Sequence, residues 1–269
     1  MGSFVLSDSG RGSGVRIIAV ANQKGGVAKT TTVISLAACL AASKKPCLVV
    51  DIDPQCNATS GLGLRPSTDP SLLELLLGES NHPKIVPHEA VPDLYVLTGC
   101  PDLVGAEKLF SNSPDPLLKL RNLVGSILEG ERTFEYVLLD CPPSLNLLTL
   151  NALACATDLL VPVQAEFYAL EGLTDILDSY EAAKEHANPD LKLLGLLLTM
   201  IDYRTNLSTE VESELRKHYG ERVFKTTIPR NVRLSEAPSH GLPIILYDIW
   251  SRGAKAYMEL TKEILKHDA

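Results

Sequence analysis

No two of the six cysteines (Cys39, Cys47, Cys56, Cys100, Cys141, Cys155) are spaced Cys-x-x-Cys, so neither a zinc site nor a disulfide framework is indicated, and a reducing cytosol is the setting this usage predicts. No apolar run approaches the roughly 20 residues that span a bilayer; the longest lies around Leu193 to Ile201. No signal peptide opens the chain, and although it begins Met-Gly, Leu6 stands where a myristoylation signal wants Ser or Thr. An excess of basic residues is missing too. A net charge of −8 sets the bulk of the surface against a polyanion, so only a local basic patch could hold nucleic acid. Internal repeats and low-complexity blocks are also absent.

What is present is core. With 269 residues, 45% of them hydrophobic, the chain can bury the interior of one large α/β domain, expected over residues 15–269. A Gly- and Ser-rich stretch without periodicity, residues 1–14, is expected to be a flexible tail. Short β-rich apolar runs alternate with helical patterns. The predicted strands are VRIIAVAN, PCLVVDID, DLYVLTG, YVLLDCP, DLLVPVQ, LKLLGLLLTM and RVFKTTIP. Between them lie stretches such as TTTVISLAACLAASKK and LSTEVESELRKHYG, the latter with Leu207, Val211 and Leu215 on one helical stripe. Strands apolar throughout and separated by helices imply one doubly wound, mostly parallel sheet with helices on both faces.

In such a sheet ligands bind at the carboxyl ends of the strands, and five of those ends carry chemistry: NQKGGVAKTTT, DIDPQ, DCPPS, TMIDYRTN and IPRNVRL. The first is a phosphate-loop candidate that misses the usual fingerprint, because Gln23 and Ala28 occupy its glycine positions. Gly25 and Gly26 lack Cβ, so consecutive N–H groups can turn toward an anion at a helix N-terminus. Lys29 would reach phosphates and the Thr30 hydroxyl a Mg²⁺ ion. Ala28 is tolerable if its backbone is near helical φ/ψ. Asp51 and Asp53, two apart on a strand end, share a face. They are either a metal and water pair, with Asp53 the better water-orienting group, or caps for the turn before Pro54. Asp140 ends YVLLD where an acid that holds Mg²⁺ stands, and a buried aspartate is otherwise costly to desolvate.

The set KGGVAKTTT, LVVDIDPQCNATSGLG, YVLLDCPPSLNLLTLNAL, EFYALEGL, TMIDYRTNLS, IPRNVRLSEAPSHGLPIILYD and GAKAYMELTKEIL resembles the ParA/Soj partition ATPases, a deviant Walker A branch of the P-loop proteins, from about Val15 onward. The resemblance implies a P-loop ATPase that hydrolyses ATP to ADP and phosphate, weakly alone and faster with a partner, as a dimer sandwich around two ATP molecules. It makes Lys24 the signature lysine crossing to the partner subunit's phosphates, Lys29 the lysine serving its own, and Asp53 the aspartate needed for hydrolysis. Nucleotide would be held by Lys24, Gly25, Gly26, Val27, Ala28, Lys29, Thr30 and Thr31, with Met200, Pro229 and Asn231 around adenine. Thr30, Asp53 and Asp140 would lie on the metal side. Two positions usually glycine in the family, Ala28 and Cys56, are not glycine here.

Arg204, Lys225, Arg230 and Arg233 lie in two carboxyl-end loops, among Asp202, Glu210, Glu212, Glu214 and Glu221. By themselves they are as much a charge-balanced surface as a DNA site; the resemblance favours non-specific double-stranded DNA. It also implies a ParB-type partner, a nucleoid-associated cytoplasmic protein and no stable membrane association. A MinD-like division regulator would need a C-terminal membrane helix. The last helix instead predicts Tyr257, Leu260, Ile264 and Leu265 inward and Lys255, Lys262 and Lys266 wet. An iron–sulfur protein would need a ligand loop at Cys100 and Cys141, where buried thiols are expected. An ATPase positioning carboxysomes or other cargo shares all these motifs.

Overall fold

The computed structural model describes residues 14–111, 113–166 and 169–267; the expected tail, Gly14 apart, lies outside them. Seven strands among the described residues form one sheet: β1 (Arg16–Val20), β2 (Cys47–Asp51), β3 (Ile85–Pro87), β4 (Leu94–Leu97), β5 (Tyr136–Asp140), β6 (Asp158–Gln164) and β7 (Lys192–Thr199). Their order is β3-β4-β2-β5-β1-β6-β7, parallel throughout except for the antiparallel edge pair β3·β4. The helices are α1 (Lys29–Ala42), α2 (Asn57–Gly61), α3 (Leu72–Leu77), α4 (Ala106–Ser111), α5 (Lys119–Leu128), α6 (Leu147–Cys155), α7 (Ala169–His186), α8 (Asn206–Tyr219), α9 (Val232–Glu236), α10 (Ile244–Tyr247) and α11 (Arg252–His267). The expected doubly wound architecture is what forms.

Alternation along each strand decides which helices it meets. Ile17 and Ala19 of β1, Leu48 and Val50 of β2, and Val137 and Leu139 of β5 join the core under α3, α5, α6 and α7. Their neighbours Ile18, Val20, Cys47, Val49, Tyr136 and Leu138 join the core under α1 and α11. Both faces are buried, so these strands read as unbroken apolar runs rather than alternating ones. The last helix packs as expected, with Tyr257, Leu260 and Ile264 wholly buried and Lys255, Lys262 and Lys266 exposed. The Tyr257 hydroxyl shares a 3.0 Å hydrogen bond with Thr32 of α1. No helix among the described residues is long and apolar enough to cross a membrane.

Three expectations are corrected. RVFKTTIP is not a strand: it touches β7 through isolated bridges at Val223 and Pro229. Between them the Lys225 and Thr226 amides donate to the Glu263 carboxylate at 2.7 and 2.9 Å, so they make no ladder. The unforeseen edge strand is β3. On α8 the stripe is incomplete: Leu215 is buried, Val211 half-buried, and Leu207 exposed.

Candidate functional site

Register gathers the predicted strand ends. Val20 and Asp51 both pair with Asp140, so β1, β5 and β2 end side by side. The loop from Ala21 to Ala28 rises from β1 into α1. It is anchored by Asn22, buried, whose side chain donates to the Pro162 carbonyl (2.7 Å) and accepts from the Lys24 amide (2.9 Å). The Thr199 hydroxyl donates to the Val27 carbonyl at 3.1 Å. Gly26 turns the chain at φ 76°, where a side chain would be strained. Ala28 caps α1 without a side-chain bond and the first turn holds no acidic residue, so nothing in that turn answers its orphan N–H groups.

The condition for tolerating Ala28, a backbone near helical φ/ψ, is not met: it sits at φ 69°, ψ 31°, in the left-handed region. Glycine at such a position removes a Cβ clash, so Ala28→Gly is expected to stabilise the nucleotide-free protein by about 1 kcal/mol. A urea midpoint measures this; a lower midpoint would mean that methyl contacts outweigh the strain. Cys56, the N-cap of α2, shares the left-handed conformation at φ 53°.

The two lysines have separate partners. The Lys29 ammonium, mostly buried, donates to the Lys24 carbonyl at 3.1 Å. Burial pulls its pKa down, while Asp140, Cys141 and Asp53 push the other way. Lys24, half-buried, is ion-paired at 2.9 Å with Glu166 just beyond β6, and Glu166 also accepts from Gln164. Glu166 opens the EFYALEGL stretch, but nothing in the sequence assigned it a role, and this long-range pairing is what singles it out.

The aspartates divide into structural and unpartnered groups. Asp51 is a cap: it accepts from the Thr59 amide and hydroxyl, both at 2.7 Å, and from the Asp53 amide. Asp53 accepts from the Gln55 amide at 2.9 Å and is nearly buried. Asp140 is wholly buried, and neither carboxylate oxygen has a hydrogen-bond partner. Burial, then the neighbouring Asp51, drive its pKa well above the ordinary carboxylate range; the Thr30 hydroxyl, near but short of hydrogen-bond geometry, and Lys29 oppose this. An orphaned buried carboxylate beside a hydroxyl fits a hard divalent cation.

A cavity of about 300 Å³ opens beside the loop, lined by Ala28, Thr31, Met200, Pro229, Asn231 and Val232 among others. It brings together the three residues expected around a purine. Met200 is held at φ 54°, and the Asn231 side chain accepts from the Arg233 amide to cap α9. A second cavity of about 300 Å³, lined by α3, residues 78–83 and α5, lies off the loop, so position rather than size distinguishes the two. Gly63, after α2, meets Gly241, after α9, backbone to backbone. A Cβ on Gly241 would fall 2.7 Å from the Gly63 Cα, and one on Gly63 would fall 3.0 Å from the Gly241 carbonyl oxygen.

The basic residues are scattered and partly neutralised. Arg204 is bonded to Asp202 at 2.8 and 2.6 Å, an interaction that holds the Asp202 carboxyl at about 2. Arg230, exposed, lies near the same Asp202 and lines the cavity. Arg233 pairs with Glu236 at 2.9 Å and Asp248 at 3.5 Å. Lys225 stands apart on the flank beside α8 and α11. All six cysteines are buried and free, and no cluster of three metal-ligating residues occurs among the described residues.

A glycine-turned loop entering a helix at the carboxyl edge of a doubly wound sheet, with a lysine in its first turn and an aspartate ending the adjacent strand, defines a P-loop nucleotide-binding fold. A family model described as an AAA domain matches residues 15–193. The chain is 46% identical to the sporulation initiation inhibitor protein Soj of Bacillus subtilis, over 93% of this chain and 98% of that one. It is 50% identical to the chromosome-partitioning ATPase Soj of Thermus thermophilus, over 93% and 96%. A structure of cobyrinic acid a,c-diamide synthase from Mycobacterium smegmatis, with bound ADP and magnesium, matches with a TM-score of 0.80 at 38% identity, over 94% of this chain and 95% of that one. The chain belongs to the ParA/Soj family of partitioning ATPases.

Proposed function

We propose that the chain is an ATP-dependent partition switch. ATP with Mg²⁺ joins two subunits into a sandwich dimer, the dimer binds duplex DNA without sequence preference, and a ParB-type partner releases it by stimulating hydrolysis to ADP and phosphate. Its place would be the nucleoid, in the cytoplasm. The observation carrying this reading is the buried Asp140 carboxyl beside Lys29 and Thr30, neither of whose oxygens has a hydrogen-bond partner, a group that a bound cation would hold ionised.

The amides of Gly25 to Thr31 would cradle the phosphates, and Lys29 would leave the Lys24 carbonyl for them. Thr30 and Asp140 would hold the metal with Asp53 near it; when bound it neutralises charge developing on the phosphates. Asp53 would orient the attacking water. Met200, Pro229 and Asn231 would wall the purine. Lys24 would exchange Glu166 for the partner subunit's phosphates. A single subunit then lacks one cation where charge develops, which accounts for weak activity before dimerisation. Arg204, Arg230 and Arg233, with Lys225 more distant, would meet DNA phosphates.

The name of the M. smegmatis protein raises amide formation instead. The relatives of higher identity, at 46% and 50% against 38% for that structure, carry the sporulation-inhibitor and partitioning names of Soj. The switch reading is therefore preferred.

Sedimentation of the native chain and of Arg233→Glu, with and without ATP, Mg²⁺ and duplex DNA, tests it. The native chain is expected to dimerise with ATP and to move with DNA only then. Arg233→Glu should dimerise and lose DNA. A native chain that stays monomeric with ATP would remove the switch.

A further inference from the structure

Trp250, the only tryptophan of the chain, is 81% exposed in the turn between α10 and α11. A large aromatic left in water, with the adjacent Ile249 48% exposed, marks a surface that meets something. Its amide donates to Asp248 at 3.1 Å, and the other Asp248 oxygen lies 3.5 Å from Arg233. Leu234, next to Arg233, presses on the start of α11, where a Cβ on Gly253 would fall 2.5 Å from the Leu234 Cγ. Trp250 and Arg233 therefore belong to one neighbourhood. Arg230 and Arg252 are exposed nearby in the chain, and the Arg233 guanidinium lies 5.9 Å from the Tyr247 ring centre.

We propose that Trp250 contacts DNA: with the adjacent Ile249 it lies against the apolar sugar faces of a duplex whose phosphate is taken by Arg233. The inference rests on the DNA-binding reading above. Duplex DNA fits because its backbone alternates phosphates with sugars, as this surface sets an arginine beside an aromatic and an aliphatic side chain. Glu236 and Asp248 hold Arg233 in the free protein, so a phosphate must displace them. Electrostatic gain at Arg233 is thereby reduced, which leaves apolar contact a larger share of the affinity.

The lone tryptophan reports on its own surroundings. Native protein with ATP and Mg²⁺ is titrated with a short duplex of arbitrary sequence at several salt concentrations, following tryptophan emission and gel retardation together. Emission is expected to change saturably with the retardation midpoint. Trp250→Ala should weaken binding about tenfold, as loss of one partly covered aromatic implies, with an unchanged slope of log K against log salt; Trp250→Phe should keep most of the affinity. Arg233→Ala should instead flatten the slope by about 0.9 per subunit. Emission unchanged while DNA binds, or native affinity in Trp250→Ala, overturns the proposal. So does an ATP-induced change to which DNA adds nothing, the result expected if a second copy covers Trp250. No retardation of the native protein would remove the DNA reading itself, and this proposal with it.

Discussion

Lys29→Ala is expected to lose ATP affinity by about two to four orders of magnitude, the equivalent of two charge-assisted hydrogen bonds at about 1.5–3 kcal/mol each. The side chain is already in place: its ammonium is mostly buried, reaches only the Lys24 carbonyl, and lies within the electrostatic reach of Asp140 and Asp53. Burial disfavours that charge, so the lysine sits in an environment that an incoming triphosphate would improve. Calorimetric titration with ATP measures the loss, and a thermal melt of the nucleotide-free variant separates lost binding from lost fold. Lys29→Gln keeps much of the volume without the charge and should fail alike. Near-native affinity in either variant would move the phosphate site away from this loop.

Asp53→Ala should retain ATP but hydrolyse it at least about a hundredfold more slowly, the low end of what a positioned acid or base contributes. Without hydrolysis the protein should remain dimeric and on DNA. The ambiguity is structural, because the Asp53 carboxylate also accepts the Gln55 amide and so shapes its own turn. Asp53→Asn resolves it: the amide oxygen can keep that hydrogen bond while the charge is gone. Loss in both variants assigns the effect to the carboxylate, whereas an active Asp53→Asn would make Asp53 a turn former and leave the water to another group. Single-turnover hydrolysis with saturating ATP gives the rate without interference from binding.

Strand ends were legible to within one or two residues because doubly buried strands show as apolar runs that stop near their polar chemistry: the strands end at Val20, Asp51, Asp140 and Thr199, just short of the predicted runs. Local pattern failed where distant residues decided the outcome. Glu263, 38 positions from Lys225, removes the amides that would have made an eighth strand. The three residues of β3 are too few to show a period. In the site, Lys29, Asp53 and Asp140 were visible as residue types at strand ends and Asp202 as an acid near Arg204, but the pairing of Lys24 with Glu166 and of Arg233 with Glu236 was not, since ion pairing leaves no mark on spacing. The left-handed backbone at Ala28 and Cys56 was signalled only by the family's glycines at those places.

Gly63 and Gly241 touch without side chains between them, and that contact lies between two functional stretches. One begins at Asp53 and runs through α2; the other runs from Pro229 and Asn231 through Arg233 to the turn at Gly241. Side chains can absorb a small displacement by changing rotamer; abutting main chains cannot. Any slide of the segment behind Asp53 would therefore press on the turn at Gly241, and through it on the stretch that carries Pro229, Asn231 and Arg233.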